Sequence, residues 1–303
     1  MRTIKRKDKE EGVSAVIGTV MALMVFMFLF GMIQNQYVPV AMKDTEANHM
    51  SRIESQFGQL KYGIDSLIVH GATNYSMYTP MTLGSEGMPV FASQTPGYIG
   101  LQPNDEYFNV SFVMNENDGS GGIRTTHMYS NTSGMLRLYV PNRYYVPQMY
   151  AYSCGALILY QDSGSVMKAG PSISIDNRSG DIVMSMYTVR IIGKEAIKGG
   201  TYTEGVYSSL LYTYDSEEGS DSNFINSSMT ISLATVFPDA WEDWINTTAR
   251  DGGLTYGHDY TVVRTLHDDS VYPPVYSVVI TINDIKSLEL HRSLVDIQLG
   301  SQQ

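Results

Sequence analysis

The chain has 303 residues, a net charge of −11 and one cysteine, and these totals exclude several classes of protein. The acidic balance argues against a nucleic-acid partner, because basic residues cluster only within the first ten positions. The single cysteine, Cys154, excludes an internal disulfide, and its apolar neighbours indicate a small buried side chain rather than a nucleophile. The abundance of Tyr, Ser, Thr and Gly favours a β-rich body.

The first predicted element is an apolar helix over residues 13–36. No residue from Val13 to Met42 is charged, and Val13 to Ile33 would span about 31 Å as a helix, which matches the hydrocarbon core of a bilayer. A buried core helix is the alternative, but such a helix would show a polar face. Basic residues precede the segment, namely Arg2, Lys5, Arg6, Lys7 and Lys9. They predict a single-pass membrane protein with a cytoplasmic N-terminus and an extracellular C-terminal part.

The start of this helix resembles a known processing signal. Gly12-Val13-Ser14-Ala15-Val16-Ile17-Gly18-Thr19, after a basic leader, is similar to the class III signal of archaeal type IV pilins and archaellins. The resemblance implies that a prepilin peptidase cuts between Gly12 and Val13, which removes a cytoplasmic leader, residues 1–12. It also implies that the retained helix packs against other pilin subunits in a filament core. The sequence departs from the family at Glu10-Glu11, where a basic residue is usual.

A second, amphipathic helix is predicted over residues 43–70. Pro39 is expected to kink or end the first helix, and Asp44 or Thr45 could cap the next one. Apolar residues then recur at alternating steps of three and four, which is a heptad stripe. The stripe consists of Met50, Ile53, Phe57, Leu60, Ile64 and Leu67. Two interpretations remain open: a stalk that assembles with neighbouring subunits through this stripe, or a helix that packs on its own ectodomain.

Residues 71–303 are predicted to form a β-rich extracellular domain, because β-branched and aromatic runs alternate with turn residues. The predicted strands are 107–114, 134–140, 149–160, 181–192, 206–214, 229–237, 260–266 and 275–299, the last with a turn near Asn283-Asp284. One helix is predicted from Pro238 to Ala249, with Trp241, Trp244 and Ile245 on the face that docks on a sheet. The fold class is therefore α+β, mainly β: a long hydrophobic, then amphipathic N-terminal helix followed by a β-sandwich-like ectodomain with one short helix.

Six N-x-S/T sequons follow the apolar helix and are candidate glycosylation sites. Their asparagines are Asn74, Asn109, Asn131, Asn177, Asn226 and Asn246. Chance matches in a Ser/Thr-rich β protein are the alternative. For Asn109 we expect the polar face of its strand, where a glycan could be attached.

Neither a metal nor a cofactor is predicted. The acidic loops around Asn115–Asp118 and Asp215–Asp221 could offer oxygen ligands to Ca²⁺, but they lack EF-hand spacing, so solvated hairpin loops are the preferred interpretation. The histidines show no zinc spacing, and there is no nucleophile elbow or phosphate-binding loop. We therefore predict that the chain is not an enzyme and has no catalytic residues.

Short phrases in the body add to the resemblance. Gly87-Met88-Pro89-Val90, Asn142-Arg143-Tyr144-Tyr145 and Gly155-Ala156-Leu157-Ile158 resemble archaeal pilin-like surface proteins, in which a pilin N-terminus precedes a β-rich domain. The prediction is a minor or accessory pilin-like subunit of the cell surface with an adhesive or structural role, and membrane lipid is its first partner. The alternatives are an uncleaved single-pass anchor with a monomeric ligand-binding ectodomain, and a tethered ectoenzyme.

Overall fold

The computed structural model describes residues 4–117, 122–178, 180–216, 226–270 and 273–300. It confirms the mainly-β α+β class. The N-terminal helical part consists of α1 (Ile4–Met32), a π-helical turn (Ile33–Tyr37) and α2 (Val38–Val69), which follow one another without a break. A third helix, α3 (Pro238–Asp251), lies within the β body.

Pro39 does not end the helix, and this corrects the predicted boundary. The chain passes through the π-helical turn instead, in which the Val38 N–H donates to the carbonyl of Ile33, five residues earlier. A proline cannot donate to the carbonyl four residues before it and would clash with that carbonyl, so the wider turn accommodates Pro39 within a continuous helix. The predicted cap at Asp44 or Thr45 is therefore wrong, and the Thr45 hydroxyl donates to the carbonyl of Ala41 inside α2.

The described residues of the body form sixteen strands, and several of them are longer or shorter than predicted. In chain order they are β1 Ser76–Thr82, β2 Gly97–Gln102, β3 Tyr107–Asn117, β4 Ile123–Thr132, β5 Met135–Val140, β6 Gln148–Ser153, β7 Ala156–Gln161, β8 Gly164–Ala169, β9 Ser172–Arg178, β10 Asp181–Ile192, β11 Ala196–Gly200, β12 Thr203–Ser216, β13 Ser228–Thr235, β14 Tyr260–Asp268, β15 Val275–Ile282 and β16 Ile285–Leu299.

These strands form three sheets. The first sheet has the order β1-β12-β16-β10-β9, the second β11-β2-β5-β6-β7-β8 and the third β14-β15-β13-β3-β4. Among the strands that the structure describes, all pairings are antiparallel except that of β10 with β16, which is parallel and regular from Val183 to Ile192. This parallel pair joins segments about a hundred residues apart, so most of the second half of the chain forms the crossover between them.

Two hydrophobic cores result, and the long strands β10 and β16 contribute to both. The α2 core contains the stripe of α2 together with residues of the first and second sheets, among them Val206 and Leu138. The α3 core contains α3, the inner face of the third sheet and parts of the other two. In β10 the buried residues change from even positions, such as Met184, to odd positions, such as Ile191. Since side chains alternate across a strand, opposite faces of this sheet cover the two cores.

One predicted strand is a hairpin. The segment 149–160 turns at Cys154 and Gly155, whose φ angles of 51° and 83° lie in the left-handed region, so that β6 and β7 pair across a two-residue turn. Cys154 is 3% exposed, which confirms the predicted buried side chain, and burial raises the pKa of its thiol to about 12. The turn near Asn283-Asp284 is also present, but β15 and β16 belong to different sheets.

The predicted helix in the body is confirmed. Trp241 and Ile245 are buried and belong to the α3 core, and the ring centroid of Trp241 lies 5.7 Å from that of Phe108 on β3. At the end of α3, a Cβ on Gly252 would lie 2.3 Å from the carbonyl oxygen of Ile175, so a larger residue would clash with β9. The glycine thus ends the helix and also permits its close approach to the first sheet.

Replacement of Gly58 by alanine is expected to stabilise the protein by about 1 kcal/mol, because glycine weakens a helix interior by that amount. No atom lies within 4 Å of the position that its Cβ would take. Chemical denaturation of the wild type and Gly58→Ala measures the difference. Gly252→Ala is the matched control and should destabilise, because its Cβ meets the backbone. A Gly58→Ala variant less stable than the wild type would contradict the interpretation that Gly58 lies in the interior of α2 with space for a Cβ atom.

The contribution of Glu106 to the stability of the fold is expected to fall as the pH rises from about 4.5 to about 7. Burial raises the pKa of the Glu106 carboxyl to about 7, and one of its oxygens accepts the N–H of Val236 at 2.8 Å. In this window Glu106 binds more protons in the folded state than in the unfolded state, so raising the pH favours unfolding, by about 3 kcal/mol for this group over the whole window, while the lowered pKa of His49 acts in the opposite direction. Denaturation midpoints measured from pH 4 to pH 8 should show this loss.

The substitution Glu106→Gln isolates this effect, because the amide stays neutral and keeps an oxygen acceptor for Val236. We expect the loss of stability between pH 4.5 and pH 7 to shrink by about 3 kcal/mol in the variant. Glu195→Gln, at an exposed position of the β10–β11 connection, is the control. The same pH profile in Glu106→Gln and the wild type would show that Glu106 does not carry the effect.

Candidate functional site: the exposed apolar helix and its attachment

The most unusual surface of the molecule is the helix from Ser14 to Tyr37, hereafter the apolar segment. Its large apolar side chains from Val16 to Ile33 are 39–69% exposed. Among the described residues one helix is long and apolar enough to cross a membrane; its most apolar window has a mean hydropathy of 2.5, and none of that window is buried. The chain therefore has the features of a membrane-anchored protein with a β-rich body. In water this surface would be costly to expose.

The exposed part of the helix ends abruptly at Tyr37. Val38 and Met42 are each 1% exposed, whereas Tyr37 is 63% exposed. Before this boundary, the ring of Phe30 lies 5.7 Å from that of Phe91 in the loop between β1 and β2. The π-helical turn therefore lies where the helix leaves the body, and the apolar segment projects as the continuation of a helix whose other half is buried.

The attachment of α2 to the body depends on a buried carboxylate. Glu46 is 0% exposed, and both of its oxygens accept hydrogen bonds. One oxygen accepts from the hydroxyl of Thr95 at 2.9 Å and the N–H of Arg143 at 3.1 Å. The other accepts from the N–H groups of Tyr144 and Tyr145, each at 2.7 Å. Three consecutive backbone N–H groups thus enclose the carboxylate, as in an anion-binding nest, and the loop 142–145 is fixed to the helix.

Further polar contacts hold the rest of α2. The side chain of Gln56 pairs with Thr82 through two hydrogen bonds of 3.0 Å, one to its hydroxyl and one from its backbone N–H. Glu54 accepts from the hydroxyl of Tyr150 at 2.8 Å. The ammonium of Lys61 donates to the carbonyl of Gly155 at 2.7 Å. α2 is therefore bound to the first sheet on one side and to the second sheet on the other, which fixes the direction of the apolar segment.

The structure decides between the two interpretations of the heptad stripe. Each of its six residues is at most 4% exposed and packs in the α2 core: Met50, Ile53, Phe57, Leu60, Ile64 and Leu67. The assignment of this stripe as an assembly face is thus wrong, because its own body already covers it. Residues 43–70 are not a free stalk but part of the body, within a helix whose bounds are Val38–Val69. The stripe is thus unavailable to a neighbouring subunit, whereas the apolar segment is exposed.

The predicted processing site lies inside α1. Gly12 and Val13 both have helical backbone in the span Ile4–Met32. Cleavage between them stays a prediction.

The six sequons fall into two groups by exposure. Asn74, Asn131 and Asn226 are exposed. Asn109, Asn177 and Asn246 are only half-exposed, and their side chains are engaged or shielded. The amide oxygen of Asn177 accepts the N–H of Gly180 at 2.9 Å, and that of Asn246 accepts the hydroxyl of Tyr260 at 3.2 Å. Asn109 does lie on the outer face of β3, but its amide oxygen is shielded from solvent.

Much of the two predicted acidic loops lies outside the described residues, including Asp118 of the first loop and residues 217–225 in and after the second. Asn115 is described: its amide donates to the carbonyl of Asn226 at 3.1 Å, and its amide oxygen accepts the hydroxyl of Thr125 at 2.9 Å. Within the part of the chain that the structure describes, no group of three or more His, Cys, Asp or Glu residues could hold a metal ion.

Sequence reasoning missed Glu46, although a signal for it was present. Glu46 lies four residues after Met42 and four before Met50, so it continues the buried stripe toward the apolar segment. An acidic residue on the buried face of a helix indicates a buried carboxylate that accepts several hydrogen bonds. A buried carboxylate without hydrogen-bond donors would cost too much free energy. The identity of those donors could not be read locally, since they lie about a hundred residues away in the loop 142–145.

In comparisons with known proteins, no family model, no curated protein and no solved structure matches the chain.

Proposed function

We propose that the chain is a pilin-like subunit of the cell surface that is held in a membrane, and then in a filament, through its apolar segment. The observation that supports this proposal most directly is the exposure of the apolar side chains from Val16 to Ile33 on a helix whose second half packs its apolar face against the body. Such a surface needs an apolar environment, which either lipid or the same segment of other copies can supply. The role is structural or adhesive rather than catalytic.

The proposed orientation follows from the charges at the two ends of the helix. Basic residues precede Gly12, so the N-terminus stays in the cytoplasm and the body lies outside. The body begins at Val38, the first buried residue of the helix. The apolar segment from Ser14 to Tyr37 is about 36 Å long, so the body would lie directly above the bilayer surface.

Assembly would use the apolar segment. The apolar stripe of α2 is covered by the body, so the continuous apolar surface that the helix offers to neighbouring subunits runs from Val16 to Ile33. In the membrane this surface contacts lipid, and in a filament it would exchange lipid for protein contacts. Prepilin peptidase and other subunits are the partners in this proposal.

An uncleaved anchor with a ligand-binding body is the second candidate function, and Glu10-Glu11 in place of the basic residue favours it. The mass of the N-terminal peptide, measured after co-expression with an archaeal prepilin peptidase, separates the two. We expect a chain that begins at Val13. Gly12→Val is the matched variant and should leave the leader uncut. A wild-type chain that keeps residues 1–12 would overturn the pilin proposal and leave the anchor.

Glycosylation in a host with an N-glycosylation machinery is expected at Asn74, Asn131 and Asn226 and not at the three half-buried sequons. A glycan bonded to the side-chain amide must project into solvent, and the other three side chains are hydrogen-bonded or shielded. Mass spectrometry of proteolytic peptides measures the occupancy.

The variants Asn131→Gln and Asn246→Gln form a matched pair for this prediction. The first should lose one glycan mass from the intact protein, and the second should lose none. Full occupancy at Asn246 together with an empty Asn131 would contradict the order that exposure predicts.

A further inference from the structure

A polar cleft of about 440 Å³ lies beside α2, outside the apolar segment. α2 forms one wall, the end of β1 and the loop after it form the second, and the connection from β11 to β12 forms the third. The lining residues are Thr45, Asn48, His49, Arg52, Thr82, Gly84, Ser85, Glu86, Thr201, Tyr202 and Thr203. Its volume is that of a small-molecule site, but its lining is polar, so a polar ligand fits it better than a lipid.

Two buried polar atoms, on two residues that line the cleft, have no hydrogen-bond partner among the described residues. His49 is 4% exposed, and its Nε2 lies 3.1 Å from the carbonyl of Thr82. A carbonyl can only accept, so Nε2 carries the proton and Nδ1 is left as an acceptor without a donor. Ser85 is 2% exposed, and its hydroxyl has no partner either. Unpaired buried groups are costly, so an occupant that offers hydroxyl groups would remove a penalty already present in the empty site.

The histidine is kept neutral by its surroundings. Burial lowers the pKa of His49, and the positive charge of Arg52 lowers it further. Nδ1 is therefore an acceptor at neutral pH and needs a hydroxyl or amide donor, not an anion.

Arg52 supplies the charge of the cleft. It is exposed and forms no ion pair with another described residue, although acidic residues outnumber basic ones by 31 to 20 in this chain. A guanidinium left free in so acidic a protein is available for a carboxylate from outside. Tyr202, 49% exposed, adds an aromatic ring to the opposite wall.

We propose that this cleft binds an acidic saccharide, a sugar ring with one carboxylate of the uronic acid type. Its carboxylate would pair with Arg52, its hydroxyl groups would donate to His49 and pair with Ser85, and its apolar ring face would lie on Tyr202. Glu86 offsets the charge of Arg52, and no lysine lines the cleft, so a phosphate or another polyanion fits less well. This inference does not depend on filament assembly, since the cleft belongs to the body.

Titration of the full chain in detergent micelles with sodium glucuronate and with glucose tests the proposal, with saturation-transfer NMR and calorimetry as readouts. Glucose lacks the carboxylate and keeps the ring. We expect saturable binding of glucuronate. Glucose should bind about tenfold more weakly, because the loss of one charge-assisted hydrogen-bonded pair lowers the affinity by about that factor.

The variant Arg52→Gln should bind glucuronate about tenfold more weakly than the wild type and no better than glucose. Arg190→Gln removes an exposed arginine of β10 that does not line the cleft and should leave the affinity unchanged. Thermal unfolding confirms that both variants are folded. Absence of saturable glucuronate binding up to about 20 mM would overturn the proposal. So would equal affinities for the two sugars, or an Arg52→Gln variant that binds as the wild type does.

Discussion

Deletion of residues 1–33 is expected to convert the protein from a membrane-bound to a freely soluble form that keeps its fold. The deletion removes the side chains from Val16 to Ile33 that are 39–69% exposed. Their transfer into a bilayer is favourable by on the order of 5 kcal/mol, summed over the apolar residues, and this term is lost. The first buried residue of the helix is Val38, and the residues of the α2 core begin at Met50, so the deletion leaves this core complete.

Fractionation of cell lysates by ultracentrifugation, followed by vesicle flotation, measures this change. Deletion of residues 1–12 alone is the matched control: it keeps the apolar segment, corresponds to the proposed processed chain and should stay with the membranes. The soluble variant should show a cooperative thermal transition. A variant without residues 1–33 that still floats with vesicles would mean that the body itself binds the membrane.

Replacement of Glu46 by alanine is expected to destabilise the body by about 3–5 kcal/mol. The carboxylate accepts four hydrogen bonds at a position that is 0% exposed, and three of the donors are consecutive backbone N–H groups. Alanine leaves these donors unpaired in the interior and also creates a cavity. Glutamine should cost less, about 2 kcal/mol, because its amide keeps one acceptor oxygen but turns a donor toward other donors.

Chemical denaturation of the protein without residues 1–33 measures these differences. Asp44→Asn is the control, because Asp44 lies exposed on the same helix and should change stability by no more than about 0.5 kcal/mol. Hydrogen exchange adds a local readout, since the amides of Arg143, Tyr144 and Tyr145 should exchange faster once their acceptor is gone. A Glu46→Ala variant as stable as Asp44→Asn would show that the nest does not hold α2.

Patterns within a few residues predicted the elements whose formation is governed by local chemistry. The alternation in 107–114 identified the buried face of β3, whose Phe108, Val110, Phe112 and Met114 are at most 3% exposed. The six-residue stripe identified the buried face of α2, and Pro238 with Gly252 set the limits of α3.

Elements with a weak local pattern were missed. β4, IRTTHMYSNT, is an edge strand with little apolar content, so only its pairing with β3 identifies it. The turn at Cys154-Gly155 carries no Asn-Gly or Asp-Gly signal, although both residues adopt positive φ. Pro39 was expected to break the helix, but a π-helical turn accommodates it.

The sequence by itself determined that an apolar helical segment is followed by an amphipathic one and then by a β-rich body, because hydrophobic periodicity depends only on neighbouring residues. Only the tertiary structure decided what covers the amphipathic half. The stripe fits a neighbouring subunit as well as its own sheets, and the choice depends on partners distant in sequence, such as Thr82, Tyr150 and the loop 142–145. Periodicity specifies which face of a helix is buried, whereas the partner of that face is set by long-range packing. This packing covers the stripe of α2 and leaves the apolar segment exposed.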